Sequence, residues 1–256
     1  MNSLGPSSSA SETRIARSRI LSVRLPRIVI ADRTLEALKW MALLSMTGDH
    51  VNKYLFNGTK EWLFDAGRLA MPLFVFVLAY NLARPDALVR GAYHRTIWRL
   101  FFVGCLSTPP FIALGNVAYG WWPFNIMFTL AATAGVLLLI DRGSMSRYAM
   151  AGALFAGAGS VVEFCWPAMG LGVAVWLYLR RPSWMALGAA VAALGGIFYV
   201  NGNGWAILAI PLVWAASRAN VGMPRLRWVF YSYYPLHLVA LLLIRIPMSK
   251  MGYLFF

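Results

Sequence analysis

Two histidines lie within long apolar stretches, where an ionisable side chain is costly and usually faces an interior cavity. His50 follows Asp49, and Lys39 lies eleven residues before His50. That interval is about three helical turns, which places Lys39 and His50 on one helix face about 16 Å apart along its axis, whereas Asp49 points elsewhere. An imidazole can accept and return a proton near neutral pH, as acyl transfer requires. We therefore interpret His50 as functional; the alternative is a histidine hydrogen-bonded for packing alone.

Two further apolar segments carry ionisable side chains. Asp65 and Arg68 are three residues apart, close enough on one helix face to form an ion pair. Alternatively, Arg68 pairs with Asp49 or holds a substrate carbonyl or carboxylate. His237 falls near the middle of the last segment, soon after Tyr234. A second histidine at this depth also favours a functional role.

Basic residues at the start of the third segment could bind phosphate. Arg95 and Arg99 lie one turn apart, and guanidinium groups match phosphate oxygens well. The alternative is the ordinary excess of positive charge beside a membrane. At the opposite ends of the segments, polar residues could line a substrate mouth: Asn116, Asn125, Glu163 and Asn201. The sequence contains no phosphate-binding glycine loop, serine nucleophile elbow or metal-ligand cluster, so we expect no metal.

The composition indicates which elements must position these residues. Of the 256 residues, 60% are hydrophobic and 12% are charged, whereas soluble domains are about 45–50% apolar and about 25% charged. The apolar runs predict an all-α, polytopic membrane bundle of about nine transmembrane helices. We expect Pro72 to kink its helix, and Pro109 and Pro110 to break theirs near its outer end. The predicted spans are 35–56, 62–83, 96–114, 124–140, 148–162, 164–179, 184–200, 204–217 and 228–245.

The basic residues predict the orientation of the bundle. Most of the 23 Lys and Arg residues precede the first span or lie in alternate connections, which the positive-inside rule assigns to the cytoplasm. We therefore expect a bacterial inner-membrane protein with a cytoplasmic N-terminus, a basic tail over residues 1–33 and one membrane domain over 34–256. The net charge of +14 is spread over many connections, so we expect membrane lipids and no nucleic acid as partners.

Several of these segments recur in one known family. The sequence resembles the TraX family, conjugation-associated membrane proteins that acetylate the N-terminus of pilin. The interval from Lys39 to His50 is also similar to the Arg-x10-His signature of the wider membrane-bound acyltransferases, with Lys in place of Arg. The matching pieces, in family order, are Leu38–His50, Gly67–Phe76, the Arg95 and Arg99 pair, Asn125–Leu130 and Tyr233–Leu238.

The resemblance implies an acetyltransferase that uses acetyl-CoA as cosubstrate and a pilin α-amino group as acceptor. We expect Lys39, Arg95 and Arg99 to bind acetyl-CoA. The acceptor is expected at the outer side, with contacts from Asp65, Asn125 and Tyr234. His50 would deprotonate the amine or carry the acetyl group, and His237 with Tyr234 would stabilise the oxyanion or relay a proton. The expected catalytic residues are His50, Asp49, Arg68 and His237.

Three other interpretations remain open at this point. An acyltransferase that modifies a surface glycan or small acceptor would use the same chemistry with a different acceptor mouth. A proton-coupled transporter could use the same ionisable residues, although the sequence has no evident internal repeat. A third possibility is a non-catalytic assembly factor in contact with pilus or secretion proteins.

Overall fold

The computed structural model describes residues 25–115 and 121–255, and all regular elements in these two ranges are helical. The predictions for residues 1–24 and for Asn116 lie outside the described residues. A 3-10 turn spans Trp205–Leu208. The α-helices are α1 (Asp32–Leu55), α2 (Glu61–Gly67), α3 (Ala70–Leu82), α4 (Ala92–Ala113), α5 (Ile126–Arg142), α6 (Met145–Gly159), α7 (Cys165–Arg180), α8 (Trp184–Asn201), α9 (Ala209–Arg218) and α10 (Arg227–Lys250).

The predicted segments coincide with these helices, which confirms the all-α class for the described chain. Within residues 25–115 and 121–255, four stretches are long and apolar enough to cross a bilayer: Glu61–Leu82, Ala92–Ala113, Trp184–Asn201 and Trp228–Lys250. Large apolar side chains also remain exposed on α8, among them Met185 at 87% and Phe198 at 56%. Such a surface is typical of contact with lipid or another protein. The structure thus supports membrane association, and nine spans remain a prediction.

The interior of the bundle lies between α1, α3, α4, α5 and α10. Buried apolar side chains from these helices contact one another and are removed from solvent. The packing of these side chains fixes the helix faces relative to one another. The faces that carry His50 on α1 and His237 on α10 are thereby directed toward the bundle interior. Representative core residues are Met46, Met71, Val103, Met127 and Leu238.

Proline affects two helices differently. The predicted span 62–83 is interrupted between α2 and α3 at Arg68 and Leu69. Pro72 accounts for this break. Its ring clashes with the carbonyl of Arg68, four residues earlier, and proline has no backbone N–H that could donate to that carbonyl. The predicted break at Pro109 and Pro110 was wrong: α4 continues to Ala113. Its last turn is held by the buried side chain of Phe111 and by a backbone bond from Leu114 N to Pro110 O.

The end of the predicted basic tail packs on the bundle. Ile30 is 4% exposed, and its backbone N–H and carbonyl both bond to the hydroxyl of Tyr80 on α3, at 2.8 and 3.1 Å. The hydroxyl of Tyr178 on α7 donates to the carbonyl of Pro26. Residues 25–31 therefore pack against the helices before α1 begins at Asp32.

Candidate active site

The two histidines predicted to be functional meet inside the bundle. Nδ1 of His50 on α1 lies 2.7 Å from Nε2 of His237 on α10. The two rings are nearly parallel, with an interplanar angle of 7° and centroids 5.0 Å apart. His237 is buried at 7% exposure. Residues separated by 187 positions thus form one hydrogen-bonded pair.

The bonds around His237 assign the protons of this pair. Nδ1 of His237 lies 3.0 Å from the carbonyl oxygen of Tyr233, which can only accept, so this nitrogen carries a hydrogen. In a neutral ring Nε2 of His237 is then the acceptor, and Nδ1 of His50 donates to it. In the neutral His50 ring, Nε2 is left unprotonated, the form that a general base requires.

Tyrosine side chains fix the position of His237 on α10. The hydroxyl of Thr47 donates to the carbonyl of Leu43 at 2.7 Å, so the hydroxyl of Tyr233 donates to Thr47 at 2.8 Å. The Tyr233 ring stacks on His237 with centroids 5.2 Å apart, and the buried Tyr234 ring packs against the same imidazole at 5.4 Å. These contacts hold α10 in register with α1.

Asp49 and Arg68 form a second polar contact between helices. Arg68 Nη2 lies 2.8 Å from Asp49 Oδ1, and Nη1 donates to Asn201 Oδ1 at 3.3 Å. The pair between Asp65 and Arg68 is therefore not formed; Asp65 instead accepts from Asn203 at 3.4 Å. Arg68 instead pairs with Asp49, the alternative that the sequence left open.

Gly67 permits the close approach of α2 to α1 that this pair requires. A Cβ at position 67 would lie 2.4 Å from Cβ of Asp49, far inside van der Waals contact. Asp49 thus bonds to Arg68 and has no bond to its sequence neighbour His50 among the described contacts. This arrangement suits a role in holding the helices that carry the histidine pair.

Asn125 occupies a structural position. Its Oδ1 caps α5 by accepting from Met127 N, and its Nδ2 donates to the carbonyl of Gly104 and to the hydroxyl of Thr108 on α4. It is absent from the residues that line the two cavities described below. Asn125 therefore joins α4 to α5 as a cap, and its contact with the acceptor stays a prediction.

A cavity of about 340 Å³ opens beside the histidine pair, and we call it the histidine cavity. Its volume falls at the lower end of the range typical of small-molecule sites. His50 lines it together with Asp49, Arg68 and, from the connection between α6 and α7, Glu163. Burial raises the pKa of the Glu163 carboxyl to about 7, while Lys53 and the backbone N–H of Ile126 act in the opposite direction.

A second cavity, of about 390 Å³, lies around the opposite end of α1. Lys39 in its wall pairs with Glu36 at 2.7 Å, and Arg99 lies over the rings of Trp228 and Tyr231. No carboxylate among residues 25–115 and 121–255 lies within 4.0 Å of Arg90, Arg95 or Arg99. We call this the basic cavity for its cationic lining residues, Lys39, Arg84, Arg90, Arg95, Arg99 and Arg225.

One aromatic side chain lines both cavities. Phe74 on α3 lines both of them, with Met71 on the histidine side and Leu78 on the basic side. Lys39 and His50, on one face of α1, line the basic and the histidine cavity respectively. The two cavities thus share Phe74 as part of their walls.

Comparison with known proteins identifies the family. The family model described as TraX protein matches residues 34–245, a range that includes both histidines and the lining of both cavities. The chain belongs to the TraX family. A Protein TraX of Escherichia coli is 34% identical over 116 residues, and that of Escherichia coli strain K12 is 33% identical over 117 residues.

These alignments cover 45% of this chain and 44% of each relative, so the chain aligns with less than half the length of either. No solved structure matches the chain.

Sequence reasoning gave some site residues too little weight. Glu163 was one of several weak candidates, yet it lines the histidine cavity. Arg225 was not singled out, because it lies far in sequence from Arg95 and Arg99, whose cavity it lines. Two features of the sequence could have identified these residues. Glu163 is a charged residue between two apolar segments, and Arg225 lies in a basic connection.

Proposed function

We propose that this chain is an integral membrane acetyltransferase that moves an acetyl group from acetyl-CoA to the N-terminal amine of pilin during conjugative pilus biogenesis. The observation that carries the proposal is the His50–His237 pair, whose proton arrangement leaves an unprotonated imidazole nitrogen on a residue that lines a cavity. A positioned base of this kind is what attack by an amine on a thioester needs.

The basic cavity is the proposed site for the cosubstrate. The donor set fits, because Arg90, Arg95 and Arg99 lack carboxylate partners in the described chain and can hold phosphate oxygens. Acetyl-CoA supplies an activated acetyl thioester when bound. Because Phe74 lines both cavities, the proposed route of the acetyl end to His50 passes that ring.

The proposal assigns roles to the histidine pair and to the ion pair beside it. His50 takes a proton from the attacking amine through Nε2. His237 accepts the Nδ1 hydrogen of His50 and keeps that ring in the useful tautomer. The ion pair of Asp49 with Arg68 holds α1 against α2, and so positions His50.

We propose that the basic cavity faces the cytoplasm and the histidine cavity the opposite side of the bacterial inner membrane, with nine spans and a cytoplasmic N-terminus. Support comes from the clustering of arginines around one cavity, which agrees with the positive-inside rule. Contact with pilus assembly proteins belongs to the same proposal, since the acceptor is a pilus subunit.

The direct test is acetylation of pilin by purified protein in proteoliposomes with labelled acetyl-CoA, read by mass spectrometry of the pilin N-terminus. Replacement His50→Ala should lower the rate by about 10²–10⁴, the usual contribution of a general base. The control is His94→Ala, because His94 is an exposed histidine bonded to Arg142. Retained acetylation by His50→Ala, or none by the wild type, would contradict the proposal.

A further inference from the structure

The backbone of Glu163 is held in place at the wall of the histidine cavity. The backbone N–H of Glu163 donates to the carbonyl of Phe124 at 2.9 Å, and the hydroxyl of Thr129 donates to the Glu163 carbonyl at 2.9 Å. The next two residues, Phe164 and Cys165, both have left-handed backbone angles, with φ of 59° and 47°. Non-glycine residues adopt such angles only where the surrounding structure imposes them. The position of Glu163 is therefore specified by the fold.

The Glu163 carboxylate has no cation in direct contact among the described residues. Two carboxylates, those of Asp49 and Glu163, and two cations, Arg68 and Lys53, line the histidine cavity, and Lys53 acts on Glu163 by its charge rather than through an ion pair within 4.0 Å. Asp49 has Arg68 at 2.8 Å, whereas Glu163 forms none of the ion pairs within 4.0 Å found in the described residues. A desolvated carboxylate without a close countercharge is costly. A cationic ligand would supply that countercharge.

We propose that the Glu163 carboxylate receives the ammonium group of the acceptor, and so makes the histidine cavity selective for a primary amine over a hydroxyl. This inference rests on the proposed acetyl transfer and adds the chemistry by which the acceptor is recognised. A hydroxyl acceptor such as a sugar carries no charge to offer the carboxylate. An α-ammonium group offers both a full positive charge and up to three hydrogen-bond donors.

The proton balance of the reaction is consistent with this role. The bound ammonium first gives one proton to Glu163, which frees the nitrogen lone pair. The nitrogen then attacks the acetyl carbonyl carbon; the new C–N bond forms as the C–S bond breaks. The second proton passes from nitrogen to Nε2 of His50 and on to the departing thiolate. The net products are the amide, the thiol and one released proton, which leaves Glu163 for solvent.

The test compares acceptor peptides in proteoliposomes that contain the full chain and saturating acetyl-CoA. One peptide has a free α-amine, and the other has a hydroxyl in its place. Replacement Glu163→Gln should lower kcat/KM for the amine by about 10- to 100-fold, mainly through KM, as expected for loss of a charge-assisted bond. Glu163→Asp should retain part of the activity. Glu61→Gln is the matched control, because Glu61 is exposed and lies outside the cavity lining.

The pH dependence provides a readout that a structural role would not give. Because the pKa of Glu163 is about 7, the carboxylate ionises as pH rises through that value. The KM for the amine should fall over the same interval in the wild type and lose this inflection in Glu163→Gln. The other titratable or charged groups that act on the carboxylate or line the same cavity are Lys53, Asp49, Tyr54 and His50 on α1, Arg68 beside α2 and Tyr234 on α10.

The possible outcomes separate the inference from the proposed function. No transfer by the wild type to either peptide would overturn both. Transfer by the wild type with an unchanged KM in Glu163→Gln would overturn the inference alone, as would equal use of the hydroxyl peptide. Binding of acetyl-CoA, which uses the other cavity, reports whether each variant is folded.

Discussion

Removal of His237 provides a quantitative test of how the histidine pair works. His237→Phe keeps an aromatic ring at a 7% exposed position but removes the acceptor for the Nδ1 hydrogen of His50. A buried donor left without its partner costs about 1–3 kcal/mol, which corresponds to about 5- to 150-fold in rate when the loss falls on the transition state. We therefore expect kcat to fall within that range, by less than in His50→Ala.

A second substitution at the same position distinguishes hydrogen bonding from packing. In His237→Gln the amide oxygen can accept from His50, so kcat should stay within about tenfold of the wild type. The assay is the initial rate of acetyl transfer to a peptide amine by reconstituted protein, with kcat and KM determined separately. The KM for acetyl-CoA should not change in either variant, since His237 does not line the basic cavity. A wild-type kcat in His237→Phe would refute the orienting role of the pair.

Three further predictions concern the two cavities and the contact between α1 and α2. Arg99→Gln should raise the KM for acetyl-CoA about tenfold or more through loss of a phosphate contact. The increase in KM should be smaller at high salt, and an unchanged KM would contradict the prediction. Phe74→Trp should slow acetyl transfer about tenfold, because the larger ring would obstruct the proposed route of the acetyl end to His50. Calorimetry should show unchanged binding of acetyl-CoA, and unimpaired transfer would exclude that route. Gly67→Ala should destabilise the protein by about 1–3 kcal/mol, because its Cβ would meet Asp49 at 2.4 Å. Thermal unfolding in detergent checks this against Gly188→Ala, where nothing lies within 4 Å and no loss is expected.

The helices were largely predictable because each is a long apolar run bounded by charged or polar residues. The shared face of Lys39 and His50 also followed from helical periodicity alone. In the structure Lys39 lines the basic cavity and His50 lines the histidine cavity, which agrees with their separation of three helical turns. The prediction failed at Pro109 and Pro110, where the helix α4 continues, whereas the helix is interrupted just before Pro72. Whether proline breaks a helix depends on the packing around it, which the sequence does not show.

The partners of the site residues could not be read from the sequence. Spacing along one helix favoured Asp65 for Arg68, but the close approach of α1 and α2 at Gly67 brought Asp49 nearer. The bond between His50 and His237 joins the first and last helices, and no local pattern specifies such a contact. Glu163 gained importance only when burial was known. Tertiary packing thus decided which polar residues interact, while the sequence indicated which were available.

The central claim is that acetyl-CoA and the acceptor amine reach one histidine pair from opposite sides of the membrane. The most direct test uses proteoliposomes in a single orientation, with the N-terminus outward and a peptide with a free α-amine enclosed in the lumen. Acetyl-CoA added outside should yield acetylated peptide in the lumen, and His50→Ala vesicles should yield none. Acetylation only of peptide that shares the compartment of acetyl-CoA would contradict the account.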